Sequence, residues 1–229
     1  MRMIIAIAVA TLAASCAAPQ TLIPTAADGR DSGPRRFAVT PFSQMTPEQR
    51  AAADALRSGP RAAVGSSANA APDSVGSPFN IWLRRPELLD RLQRVGESIR
   101  FKSSLPPRLN EFTILITARE WDAQYEWFAH HRLAMAGGLN PQVAADLAEG
   151  RRPATMKPDE EVVYDFTTEL HKHHGVADAT FKRAVDAFGE QGVADLIAVT
   201  GYYVLVAMTV NVDRTPIPND GKPPLAKLH

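Results

Sequence analysis

The stretch of sequence that decides the fold runs from Arg108 to Leu139 and reads RLNEFTILITAREWDAQYEWFAHHRLAMAGGL. Its apolar residues recur three and four positions apart, which is the spacing that places side chains on one face of an α-helix. Pro106 and Pro107 stand immediately before it, where proline favours the first turn of a helix, and Gly137-Gly138 interrupts the pattern near its end. The stretch therefore predicts two consecutive helices joined by a short turn.

The same helical period continues on both sides of this stretch, and no segment shows the alternation typical of a β-strand. A capping box at 46–49, with Pro47 at the first helical position, begins a short helix that reaches about Arg57. Asn140-Pro141 begins another short helix, which Gly150 closes. We predict the main helices, in chain order, at 86–102, 106–119, 123–137, 159–174, 179–188 and 191–210. The fold class is therefore all-α, in the form of a compact helical bundle.

The last two predicted helices differ in composition, and the final one is strongly apolar. Asp178 is expected to cap a helix that ends at Gly189, and the final helix follows from about Gln191 to Asn211. Residues 196–210 are apolar on almost every side, but this run is shorter than the roughly 20 residues that span a bilayer. We therefore predict a helix buried in the core or at a subunit interface.

The N-terminus has the features of an export signal. Met1-Arg2 is a short positive segment, and residues 3–15 form an apolar run with the length of a signal-peptide core. The run ends in small residues immediately before Cys16, the single cysteine of the chain, and this resembles the lipobox of bacterial lipoproteins. We expect residues 1–15 to be a signal peptide and Cys16 to be the acylated first mature residue of a membrane-anchored periplasmic protein. The alternative is a secretory signal with an incidental cysteine.

The composition of the chain further limits its partners, its covalent cross-links and its domain boundaries. Basic and acidic residues number 25 each, so the formal net charge is zero, and we expect no nucleic-acid partner, since such proteins normally carry a basic excess. A single cysteine excludes a disulfide within the chain. The Ala-, Pro- and Gly-rich segment 16–36 is predicted to be a flexible tether, 37–216 the folded domain and 217–229 a C-terminal tail.

Candidate acid–base residues lie on the two helices of the opening stretch. Glu111 shares a helix face with apolar residues, and Glu126 and His130 are four residues apart, so they face each other across one turn. If the helices pair antiparallel, these three side chains converge, with Tyr125 nearby. Two carboxyl groups in a desolvated site do not both ionise easily, and an imidazole beside them completes a proton-transfer set. The alternative is a surface Glu–His pair with an unrelated Glu111.

The spacing of these residues resembles a pattern of the carboxymuconolactone decarboxylase / alkyl hydroperoxidase D-like superfamily. The hydroperoxidases carry a Glu, eleven residues, and then Cys-x-Tyr-Cys-x-x-x-His. Glu111, Tyr125 and His130 stand at the matching positions, whereas Ala123 and Glu126 stand where the two redox cysteines would be. Further likeness is found in SLPPRL at 104–109, VYDFTTEL at 163–170 and FGEQGVADL at 188–196. The resemblance implies an all-α protein that assembles as a homotrimer or hexamer.

The resemblance also implies a function. The cysteine-less branch suggests acid–base chemistry without cofactor or metal on a small carboxylated lactone or related cyclic acid, with Glu126 and His130 transferring the proton and Glu111 tuning His130. Tyr125 either assists or packs the helix interface. Thiol peroxidase activity needs two thiols, which Ala123 and Glu126 do not supply. The remaining alternative is a membrane-tethered protein that binds a small ligand without catalysis.

Two other clusters are given structural roles. His171, His173 and His174 precede Gly175 at the end of a predicted helix. A metal site there is disfavoured because adjacent histidines diverge on a helix and basic groups suit its C-terminus. The pair Tyr202-Tyr203 is expected to pack in the core, with one hydroxyl group reaching a pocket as the alternative.

Overall fold

The computed structural model describes residues 33–61, 72–218 and 224–226. Within these ranges the chain forms helices and no strand, which confirms the predicted all-α class. A 3-10 turn at Phe42–Gln44 precedes the α-helices. In chain order the helices are α1 (Pro47–Ser58), α2 (Phe79–Trp82), α3 (Pro86–Phe101), α4 (Pro107–Glu120), α5 (Gln124–Ala136), α6 (Pro141–Ala148), α7 (Pro158–His173) and α8 (Asp178–Asp213). The predicted signal peptide, Cys16 and most of the predicted tether lie outside the described residues.

Helix α4 is the centre of the fold. Every residue from Leu109 to Arg119 is buried, and the helix packs against α5, α6, α7 and α8. Its pair of prolines begins it, as the sequence predicts, and a turn at 121–123 reverses the chain into α5. Asp122 has a positive φ of 46° in this turn, a conformation that Asp tolerates better than most residues. The turn is short, so α4 and α5 form an antiparallel helical hairpin.

Helix α8 consists of two helical segments that meet at a kink at Gly189. Gly189 has φ 68° and ψ 174°, which places the break where the sequence predicts one helix to end and the next to begin. A glycine is needed there because other residues are strained at that φ. The prediction that Asp178 caps this helix is wrong, because Ala177 occupies the N-cap position. The N–H of Ala177 donates to Glu169 Oε1 of α7 at 2.6 Å.

Helix α8 is also the one described helix that is long and apolar enough to cross a membrane by length and composition. Its most apolar window has a mean hydropathy of 1.8, and half of that window is buried within the fold. One side, which includes Leu196, Tyr203 and Val210, packs into the bundle against α3, α4, α5 and α7. This packing is that of the predicted core helix.

Both ends of the described chain are tied to the bundle. The carboxylate of Asp213, which is fully buried, accepts from Arg35 Nε at 2.8 Å and from the Phe37 N–H at 3.0 Å. Leu225 is buried near the other end, and its N–H donates to Gln124 Oε1 at 2.9 Å while its C=O accepts from Gln124 Nε2 at 3.2 Å. Part of the predicted tail therefore packs at the start of α5, beside the candidate site.

Candidate functional site

The α4–α5 hairpin brings three predicted site residues together. His130 Nδ1 lies 2.6 Å from Glu111 Oε2, and His130 Nε2 lies 3.5 Å from Glu126 Oε2. The exposed fractions are 9% for Glu111, 3% for Glu126 and 6% for His130. The antiparallel pairing of α4 and α5 causes this convergence, because it sets the start of α4 opposite the middle of α5. The alternative of a surface Glu–His pair with an unrelated Glu111 does not describe this arrangement.

The pKa values of the two carboxyl groups are shifted in opposite directions. Burial by itself would raise the pKa of Glu111, but contact with His130 and with Arg100, whose Nη2 is 3.6 Å from Glu111 Oε1, holds it below its usual value. Burial raises the pKa of Glu126, and the charge of Glu111 adds to this effect, while His130 and Arg100 oppose it only in part. Glu111 is therefore the stronger acid of the pair, and Glu126 is the one that holds its proton to higher pH. Such divergence is typical of acid–base sites.

These charges assign the hydrogen-bonding roles of the imidazole. When His130 is neutral, the ionised Glu111 requires a proton on Nδ1, which then donates to the Glu111 carboxylate. Nε2 is thereby left as an acceptor, and it lies 3.5 Å from the carboxyl group of Glu126, whose pKa burial raises. The arrangement can pass a proton between Glu126 and Nε2, while Glu111 stabilises the imidazolium that results.

A cavity of about 140 Å³ adjoins the cluster. Glu126, His130 and Tyr125 line it, whereas Glu111 lies outside the lining, behind His130. Its apolar wall consists of Pro78, Phe79, Phe128, Ala129, Leu133, Val206 and Pro218. A cavity of about 150 Å³ accommodates a benzene molecule, so this one has room for a single small ring. A ligand would contact Glu126 and His130 directly, and Glu111 would act through His130.

Tyr125 lies at the cavity but outside the Glu–His–Glu chain. Burial, with the charge of Glu126 as a second cause, raises the pKa of its phenol to about 12. The hydroxyl group therefore stays protonated near neutral pH and is available as a hydrogen-bond donor to a ligand. Its ring also packs against the core, which accounts for the packing role, while assistance in a reaction stays a prediction.

Comparison with known proteins identifies the architecture. No protein-family model and no curated protein matches the chain. Among solved structures, the alkylhydroperoxidase AhpD core of an uncharacterised peroxidase-related protein from Ralstonia eutropha JMP134 is 18% identical, with a TM-score of 0.66 over 82% of this chain and 95% of that one. A peroxidase-related protein from Silicibacter sp. TM1040 is 13% identical, with a TM-score of 0.65 over 83% and 96% of the two chains.

The chain has the alkyl hydroperoxidase D-like fold. The same fold occurs in the debrominase Bmp8 in complex with 2,3,4-tribromopyrrole, which is 12% identical with a TM-score of 0.62 over 81% of this chain and 94% of that one. These identities are low enough that the likeness shows the fold alone. The fold implied by the sequence resemblance is thus confirmed, and the reaction stays a prediction.

Within this alkyl hydroperoxidase D-like fold, the two positions that match redox cysteines carry no thiol. Ala123 is the N-cap of α5 and is fully buried, and Glu126 is the buried carboxyl group described above. The single cysteine of the chain, Cys16, lies outside the described residues. These two positions therefore supply no thiolate for attack on a peroxide.

The sequence did not predict that four further residues take part in the site. Arg100 looks like an ordinary basic residue in the last turn of α3, where it suits the helix dipole, yet its side chain is buried against Glu111. Arg61 follows α1 and lines the cavity. Tyr202 and Tyr203, expected in the core, also line the cavity, and the Tyr203 ring packs edge-on against the His130 ring at a centroid distance of 5.0 Å.

The C-terminal histidines of α7 do not converge. His171 is half-buried, and its Nε2 lies 3.2 Å from Thr117 Oγ1 of α4, whereas His173 and His174 are exposed. No group of three or more His, Cys, Asp or Glu residues suited to a metal ion occurs within the described ranges. The geometry at the end of α7 is that of a helix terminus with one histidine packed inward.

Proposed function

We propose that this protein is an acid–base enzyme that transfers a proton on a small single-ring substrate, using its own side chains. The reaction class that fits is decarboxylation of a carboxylated lactone or a related cyclic acid. The observation that supports this most is the divergent carboxyl pair, with Glu126 and His130 on the cavity wall and Glu111 behind His130. None of the steps below requires a metal ion or a cofactor.

The cluster supplies what such a reaction needs. Loss of carbon dioxide leaves an electron pair that delocalises into an unsaturated lactone as an enolate, and one proton must then reach carbon. Glu126 passes its proton to His130 Nε2, the imidazolium is stabilised by Glu111, and Nε2–H protonates the substrate carbon. Water then restores the proton of Glu126, and the hydroxide that remains combines with the released carbon dioxide as bicarbonate. One proton is consumed for each carbon dioxide released, so the step balances.

The alternative is a small-ligand-binding protein without catalysis. The apolar part of the cavity serves binding as well as it serves catalysis, but binding alone does not call for two buried carboxyl groups with opposed pKa shifts. The two proposals therefore differ in whether the bound molecule exchanges a proton with the site.

The test is a turnover assay in D₂O on a panel of single-ring carboxylated lactones and cyclic acids. A substrate should release carbon dioxide and gain one deuteron at the carbon that lost it, as read by ¹³C and ²H NMR. His130→Ala should lower turnover about 10²–10⁴-fold, because positioned acid–base groups contribute that much. His171→Ala, which removes a partly buried histidine elsewhere, is the matched control and should keep its activity. Acids that bind without release of carbon dioxide would favour the ligand-binding alternative.

We also propose that the protein self-associates and is anchored to a membrane. Four apolar residues form an exposed stripe along α8 at helical spacing: Ile197, Leu205, Met208 and Val212. Such stripes mark contact surfaces, and a second copy of the chain is the partner we expect. Met208→Glu should shift the sedimentation profile towards the monomer.

The export-signal pattern and Cys16 support the lipid anchor, which labelling of Cys16 by palmitate tests.

A further inference from the structure

Arg61 is a buried cation at the cavity that the proton-transfer cluster does not use. Its side chain lines the same cavity as Glu126 and His130, although the residue is only 3% exposed. One guanidinium nitrogen, Nη2, donates to the C=O of Gln93 on α3 at 3.1 Å. The Nε–H has no hydrogen-bond partner among the described residues. A buried donor of this kind is costly unless something completes its hydrogen bonding.

The surroundings of Arg61 hold the guanidinium in place. Its guanidinium carbon lies 5.2 Å from the centroid of the Phe79 ring. Gly96 on α3 leaves the space that the guanidinium and a neighbouring phenol occupy, because a Cβ there would lie closer than 3 Å to both Arg61 Nη2 and Tyr202 Oη. An arginine fixed in this way can contact a ligand without further loss of side-chain freedom.

The charges near Arg61 leave its cation without an ion-pair partner in the described part of the chain. Glu97 on α3, whose charge acts on Arg61, pairs with Lys102 at 4.0 Å. Glu111 is engaged by Arg100 and His130. Arg100 lines the cavity as well, and its Nε–H also has no partner among the described residues. Three guanidinium groups, those of Arg61, Arg100 and Arg132, line this one cavity, and Arg61 has no ion-pair partner among the described residues, which favours an anionic ligand.

The size of the cavity and the geometry of the donors limit what this anion is. About 140 Å³ admits one small ring, and the cavity lining is largely apolar. A carboxylate matches the planar donor fork of arginine. A carboxylate on a single ring therefore satisfies both parts of the cavity, whereas a neutral ring leaves Arg61 without an ion-pair partner among the described residues.

We propose that Arg61, with Arg100, binds the carboxylate of a small cyclic acid and selects acids over neutral rings of the same shape. This inference rests on the proposed function, since it names the substrate class of the same cavity. As carbon dioxide departs, the charge of the carboxylate moves into the ring, so Arg61 stabilises the bound ground state more than the transition state. Its removal should therefore weaken binding and raise KM more than it lowers kcat.

The experiment uses the full chain and two probes of equal shape, benzoate and benzamide, titrated by calorimetry at one pH. The unaltered protein should bind benzoate at least about tenfold more tightly than benzamide, because hydrogen bonds to charged groups are worth about 1.5–3 kcal/mol. Arg61→Met should weaken benzoate binding by a similar factor and leave benzamide binding within about twofold. Arg94→Met is the matched control. It removes an exposed arginine of α3 that pairs with Asp90 at 3.0 Å, and it should leave both affinities unchanged.

Several results would overturn the proposal. Equal affinity of the unaltered protein for the two probes would do so, as would equal losses in Arg61→Met and Arg94→Met. Loss of benzamide binding together with benzoate binding would show that Arg61 only shapes the cavity. No turnover is measured, so benzoate selectivity can persist where decarboxylation is absent. Turnover can also persist where this selectivity is absent. The two proposals therefore fail separately.

Discussion

His130 and His171 both pack against α4, and their surroundings differ in one decisive respect. His130 lies between two carboxyl groups, 2.6 Å from Glu111 and 3.5 Å from Glu126, and it lines a cavity. The Thr117 hydroxyl of α4 lies 3.2 Å from His171, and burial lowers the pKa of this imidazole, an effect that the charge of Glu120, also on α4, opposes only in part. A histidine becomes a proton carrier when one neighbour stabilises its cation and another exchanges its proton. Burial alone favours only the neutral form.

The largest effect is expected from replacing Glu111, the partner of His130 on α4, and the matched control replaces Thr117, the partner of His171 on the same helix. Glu111→Gln removes the charge that stabilises the His130 imidazolium, so turnover in the D₂O assay should fall about 10²–10⁴-fold. Thr117→Val removes the hydroxyl group that faces His171 from the same helix and should leave turnover unchanged. Circular dichroism checks that both variants keep their helices. Equal losses in the two variants would mean that the carboxylate has no special role.

This comparison also shows how far sequence carries the argument. The helices of the hairpin follow from local features, namely the apolar period, the prolines before α4 and the glycines after α5. The Glu126–His130 pair follows from its four-residue spacing, and Glu111 from the apolar face around it. Local patterns therefore fix the hairpin and the residues that it carries.

The arginines of the cavity do not follow from local patterns. Arg61 reaches the site because the end of α1 packs on α3, where its Nη2 meets the Gln93 C=O, a contact between residues 32 positions apart. Arg100 has the appearance of a solvated helix-end residue, and only the packing of α3 against the hairpin buries it. A clue is present in Gly96 within an amphipathic helix, since glycine there marks a close approach. The sequence does not say what approaches.

The second prediction concerns the pH dependence of stability. Burial raises the folded-state pKa of Glu126, so the folded protein binds a proton that the unfolded chain has already released. The free energy of unfolding should then fall as pH rises from the ordinary glutamate range to the raised pKa, by up to about 1.4 kcal/mol per pH unit. Glu126→Gln should remove this slope in urea titrations, and Glu190→Gln, an exposed control, should retain it. An unchanged slope in Glu126→Gln would show that this carboxyl group titrates normally.

The third and smallest expected effect concerns the ring that borders His130. Tyr203 packs edge-on against the imidazole, and burial raises the pKa of its phenol, so this hydroxyl group stays protonated. Tyr203→Phe keeps the ring and should change turnover less than about threefold, because the acid–base groups are untouched. Tyr203→Leu removes the edge contact and should lower turnover further. The measurement is again deuteron uptake, and a large loss in Tyr203→Phe would mean that the hydroxyl group takes part in the reaction.

The most direct test of the proton-transfer site is the tautomer of His130. Long-range ¹H–¹⁵N correlation spectra, recorded at a pH where the imidazole is neutral, distinguish a protonated Nδ1 from a protonated Nε2 in each histidine. The Glu111 carboxylate at 2.6 Å predicts a proton on Nδ1 of His130 and a bare Nε2 directed towards Glu126. A proton on Nε2 with a bare Nδ1 would contradict this assignment, because Glu111 would then be neutral and Glu126 ionised.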